Sequence, residues 1–177
     1  MRRSNRWPGT PRLVAESTLR NVRQVLQSYA DAGLFTAFSS SSCTRTEGNW
    51  AIAWGYLPRA TLTVDAAAHE LTLLHILPQI SSRSTMGKSY RMFLKDLSAR
   101  SRPRHRRVDA SKVKLVCRSM PGGLALRCRM MDGDFEYATR AFIKVVQESI
   151  YEFLLDGPYY EYRITILGLD PDRAIAL

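Results

Sequence analysis

The chain predicts an α+β domain in which an antiparallel sheet packs against helices. Three observations lead there. Trp50, Ile52, Trp54 and Tyr56 alternate with Ala51, Ala53 and Gly55, the period-two pattern of a strand with one covered face. Val113, Leu115 and Cys117 alternate with lysine and arginine, and Leu124, Leu126, Cys128 and Met130 do so again after Pro121-Gly122-Gly123, as the two arms of a hairpin do. Phe135, Ala138, Phe142, Val145, Ser149 and Phe153 then recur every three or four positions, the stripe of an amphipathic helix. Hairpins with helices grouped apart from them give α+β architecture rather than the alternating units of a parallel sheet.

At 177 residues, with 45% hydrophobic and 24% charged side chains, the chain has the length and composition of one globular domain. Residues 1–10 read as a flexible basic arm and residues 11–177 as the domain. No run approaches the ~20 apolar residues of a membrane span. The basic N-terminus lacks the apolar core of a secretory signal, although arginine and serine without acids also match an organellar transit peptide. Cys43, Cys117 and Cys128 are too few, and odd in number, for a disulfide scaffold, which points to a reducing compartment and a cytoplasmic location.

In chain order, Thr10-Pro11 supplies a hydroxyl cap and a first-turn proline. Ala15, Leu19, Val22, Leu26 and Tyr29 continue at helical spacing to Gly33. Residues 34–46 read as a first strand, despite the serine run 39–42. Glu47-Gly48-Asn49 reads as the turn before the aromatic strand, which Pro58 ends. Residues 61–64 and 71–77 are two more strands, the second apolar on both faces and therefore central. Residues 84–97 form a helix with Tyr90, Phe93, Leu94 and Leu97 facing inward. After the hairpin, Asp132-Gly133-Asp134 caps the long helix and Asp156-Gly157-Pro158 stops it. Tyr160, Tyr162, Ile164 and Ile166 alternate with Glu161, Arg163 and Thr165, the pattern of a last strand over 160–167.

The net charge of +10 is unevenly placed. Residues 83–118 carry twelve Lys/Arg against Asp96 and Asp109, whereas residues 132–172 carry nine acids against Arg140, Lys144 and Arg163. Such a field attracts anionic partners or a second copy of the chain. Arg100, Arg102, Arg104, Arg106 and Arg107 crowd a loop around Pro103, too many like charges to bury. Lys114, Arg118, Arg127 and Arg129 lie on the wet face of the hairpin. A symmetric Gly122-Gly123 turn would set Cys117 opposite Cys128 and Arg118 opposite Arg127. Like charges facing each other are unfavourable, so this face either holds an acidic partner or is simply solvated. The two thiols read as small buried hydrophobes, or else as a redox pair lacking an activating environment.

No catalytic constellation assembles. Gly87-Lys88-Ser89 ends like a phosphate-binding loop, but Ser82 stands where that motif needs glycine, so a helix start is the simpler reading. His69, His75 and His105 have no partners at metal-ligand spacing, and His75 reads as a core histidine of an apolar strand. Nothing pairs a nucleophile with a base and an orienting group. The chain reads as a non-enzyme without metal or cofactor.

The order of helix, strands, helix, hairpin and helix resembles the type III secretion chaperone-like fold and its YbjN-type branch. The hairpin arm Leu126-Arg127-Cys128-Arg129-Met130, the helix start Asp134-Phe135-Glu136 and the helix end Tyr151-Glu152-Phe153-Leu154 carry the likeness. The secretion chaperones of that fold are acidic, whereas this chain is basic. The resemblance implies a non-enzymatic, often homodimeric domain that holds another protein chain. Together with the basic field it predicts an adaptor or chaperone-like protein binding an acidic partner through Arg100, Arg102, Arg104, Arg106, Arg107, Lys114, Arg118, Arg127 and Arg129. The alternative is an RNA- or DNA-binding accessory protein using the same cations, although no exposed aromatic stripe beside Tyr90 supplies a stacking platform.

Overall fold

The structure is a computed structural model that describes residues 12–44, 46–54, 57–166 and 168. The basic arm, the Thr10-Pro11 helix start and Tyr56 lie outside the described residues. Helix α1 (Arg12–Asp31) precedes strands β1 (Ala37–Cys43), β2 (Glu47–Trp54), β3 (Leu57–Asp65) and β4 (Glu70–Pro78). Helix α2 (Thr85–Asp96), strands β5 (Val113–Met120) and β6 (Gly123–Met130), helix α3 (Phe135–Glu148), a π-helical segment (Ser149–Leu155) and helix α4 (Pro158–Thr165) follow. The strands form one six-stranded antiparallel sheet in the order β1-β2-β3-β4-β6-β5.

Register explains why one face is covered. The pairings Trp50–Leu62, Leu62–Leu73, Leu73–Leu126 and Leu126–Cys117 run one apolar row across the sheet, and Leu71–Cys128–Leu115 runs beside it. Helices α1, α2 and α3 sit on this face, and Trp50, Phe142, Leu26 and Tyr90 are fully buried between the layers. The opposite face presents Ala, Thr, Asn and charged residues, as alternation requires. The α+β class and the helix-facing row of Trp50, Ile52, Trp54, Leu115, Leu126 and Cys128 thus follow from the sequence pattern.

Five local expectations are corrected. The first strand is shorter than 34–46, and its exposed serines occupy an edge strand with a bulge between Ser40 and Ser42, where polar residues and bulges are tolerated. Glu47-Gly48-Asn49 is strand, because Thr44 closes the turn through its own N–H to the Glu47 carbonyl at 2.8 Å. Gly48 serves packing instead, since a Cβ there would collide with the Trp50 indole. The hairpin turn is Pro121-Gly122, so Cys117 faces Leu126, Leu115 faces Cys128 and Arg118 faces Ala125. His75 is exposed at φ +56°, within the β4 register shift between Leu73 and Leu77, and is no core residue.

The fifth correction is the segment after Gly157. Residues expected as a strand form α4, with Pro158 in its first turn. Tyr159, buried, and Tyr162, three residues on, pack toward the core side, so their spacing satisfies a helix as well as a strand. Gly87 likewise serves close packing inside α2, where a Cβ would meet the Ser81 carbonyl, and Ser84 caps the helix by accepting from Gly87 N–H at 3.0 Å. A phosphate-cradling strand–loop–helix is therefore not formed.

Candidate functional site

The cations singled out in the sequence separate into three groups. Arg102 and Arg106 are committed within the chain. The Arg102 guanidinium reaches Asp96 at 2.9 Å, Glu152 at 2.7 Å and Glu148 at 3.6 Å. Arg106 pairs with Glu148 at 2.6 Å and also with Glu152. Partial burial draws the Arg102 proton affinity down, yet hydrogen bonds from Glu152 and Asp96 raise it above the ordinary value. Desolvation likewise opposes ionisation of Glu152, but the Arg102 bond and its neighbours hold that carboxyl below its ordinary value. The network clamps the arginine loop onto the end of α3 and the π-helical segment. The spacing of Arg102 and Arg106 matches that of Glu148 and Glu152, which was the sequence signal for it.

Arg127 forms the second group. On the open sheet face its Nη1 lies 2.9 Å from Glu70 Oε1 of the neighbouring β4. Arg129 stands directly across from Lys114 on the same face, and Arg118 is exposed beyond them.

The third group lines two adjoining hollows that share Ser98 and Ala110. One hollow runs between α2 and the edge strand β5, with Leu94, Val113, Leu115, Val116, Cys117 and Met131 as an apolar floor and Arg91, Lys95 and Lys114 at its rim. The other is lined by Arg100, Arg104 and Arg107 with Val108, Asp109 and Tyr137. Asp109 accepts from the Ser111 hydroxyl at 2.6 Å and the Ser111 N–H at 2.9 Å, and these bonds keep its carboxyl below the ordinary range. Tyr137 accepts the Asp109 N–H at 3.1 Å and has Lys112 Nζ 4.7 Å from its ring centre. None of these six cations forms an ion pair with a described acid. Arg91 and Lys95 were missed because they read as the solvated side of a helix; only the fold sets that side against β5.

Chemically the site is a concave surface with an apolar floor and a cationic rim. It binds; it holds no nucleophile. Burial pushes the Cys117 thiol up to about 11 and the Cys128 thiol up to about 12, so neither is a ready thiolate. Tyr90 is wholly buried and presents no ring to a base. Among the described residues no group of three or more His, Cys, Asp and Glu gathers as metal ligands, and no helix is long and apolar enough to cross a membrane. No family model, curated protein or solved structure matches the chain.

Proposed function

We propose that the protein is a non-enzymatic adaptor or chaperone-like domain that holds an acidic protein segment in the cationic hollows beside β5. The observation that carries this reading is the set Arg91, Lys95, Lys114, Arg100, Arg104 and Arg107 around an apolar floor, with Asp109 as the lining acid. Cationic surfaces unpaired within the chain favour encounter with anionic partners. An apolar floor favours a partner with side chains to bury over a nucleic-acid backbone, which offers phosphates and would need stacking rings. Exposed Met92 and Met131 beside the floor suit an adaptable protein contact. The resemblance to chaperone-like domains supports the same reading, which includes a cytoplasmic location and a homodimer.

The test is binding of a labelled peptide of alternating Glu and Leu, compared with its Gln–Leu counterpart and a single-stranded RNA. Wild-type protein should prefer the acidic peptide, and Arg100→Glu with Arg104→Glu and Arg107→Glu should weaken it more than tenfold. Equal binding of the two peptides, or no loss in the variant, removes the proposal. A dominant RNA affinity that falls steeply with salt replaces it with the nucleic-acid reading.

A further inference from the structure

The sheet face that the helices leave open carries its charges in two separate fields. Across one row the register aligns Glu47, Asp65 and Glu70 on β2, β3 and β4 with Arg129 and Lys114 on β6 and β5. One strand pair divides the signs. Acids stand on the β2–β4 side and Arg118, Arg127, Arg129 and Lys114 on the β6–β5 side, with the Arg127–Glu70 ion pair of 2.9 Å at the boundary. The acids also share a shape, since Glu47, Asp65 and Glu70 line one hollow with Asn49 and Thr63. Within a single copy this arrangement is unfavourable, because Arg129 faces Lys114 and Asp65 faces both Glu47 and Glu70, like against like on paired strands.

We infer that this face docks on a second copy of the chain, sheet upon sheet, about a twofold axis along the β4–β6 boundary. That axis lays the bases of each copy over the acid-lined hollow of the other, an isologous contact that is self-complementary. Ala51, Thr61, Thr63 and Val116 fill the rest of the face and are small enough for sheets to approach at the usual ~10 Å. Five strands at ~4.8 Å spacing and about eight residues at ~3.3 Å give roughly 600 Å² of face per copy. That is near the roughly 800 Å² per partner of a standard interface. The inference rests on the homodimer of the preceding section and gives it a surface, leaving the Arg100, Arg104 and Arg107 hollow free for the acidic partner.

Sedimentation equilibrium of the full chain tests it with two charge exchanges. Glu47→Lys with Asp65→Lys makes the face wholly basic on its outer rows, and Lys114→Glu with Arg129→Glu makes it wholly acidic. Each exchange replaces one like-charged cross-strand pair by another, so the fold itself is little affected. Wild-type protein should dimerise and should dissociate as salt rises. Each exchanged protein alone should associate at least tenfold more weakly, and an equimolar mixture of the two should recover a heterodimer. Arg118→Glu, a single exposed change, should weaken the wild-type dimer several-fold. A monomeric wild type, a dimer indifferent to all three variants, or a mixture of folded variants that stays monomeric overturns the inference. Loss of acidic-peptide binding in the Arg100, Arg104 and Arg107 variant with the dimer intact would concern the other reading alone.

Discussion

The Tyr90 hydroxyl lies 3.0 Å from Ser149 Oγ, and both side chains are completely buried. Ser149 already donates to the Val145 carbonyl at 2.8 Å, so Tyr90 donates and Ser149 accepts. Removing the phenol oxygen with Tyr90→Phe loses one hydrogen bond, about 1 kcal/mol. Ser149→Ala strands the phenol without a partner and should cost more, about 1–3 kcal/mol. Urea unfolding of both, and of the double variant, checks the order; equal costs would mean that the phenol finds another acceptor.

Phe142 is buried beneath α3 against the sheet. Truncation to alanine leaves a cavity that the packed layers cannot refill, at about 3–5 kcal/mol. A loss under about 1 kcal/mol in denaturant unfolding would move that face of the helix to the surface.

The cysteines should separate by exposure. Cys43 is exposed, while Cys117 and Cys128 are buried with thiols raised to about 11 and about 12. A thiol reagent at pH 8 should label one group rapidly in the native protein and all three only after unfolding. Fast labelling of a second thiol, or a native disulfide, contradicts this.

The loop clamp should weaken in acid. The Glu152 carboxyl is held below its ordinary 4.5, so its contribution is present above the unfolded value and is lost as pH falls through the lower folded value. Amide exchange in residues 99–107 should therefore speed up below about pH 4.5 relative to the sheet. Glu152→Gln should give the same acceleration at neutral pH, with little further change on acidification.

Reversal of Arg118 and of Arg127 should have different consequences. Arg118→Glu touches no described partner and should stay within ~0.5 kcal/mol. Arg127→Glu sets a carboxylate against Glu70 and should cost about 1 kcal/mol, discounted for partial exposure. Thermal melts of the two single variants distinguish them.

Much of this was legible in the residues. Period-two alternation marked which face of each strand is covered, and a hairpin slip of two residues leaves that parity intact, so Leu115, Leu126 and Cys128 were placed on the right side while their partners were not. The slip arose because two glycines do different work. Gly122, at φ +81°, makes the turn, whereas Gly123 is required by β4, since a Cβ there would strike the Leu77 carbonyl. Segment 160–167 failed because its tyrosines satisfy two periods at once, and Pro158 reads equally as a stop or a first turn. The basic site was half legible. Clustered arginines announce a loop, but which of them meet Glu148 and Glu152 is decided by tertiary contact.

The π-helical segment gives the chain a fixed count of residues there. Deleting any one position between 149 and 155 would let the backbone close into an ordinary helix, and everything beyond would turn by about 100°. Phe153, whose ring meets Tyr90 at 5.0 Å between centres, would swing away, carrying the Tyr159 anchor of α4 with it. Substitutions in this stretch are local events, but a shortening is global, so length variation among natural copies of this domain should avoid it and gather in the turns.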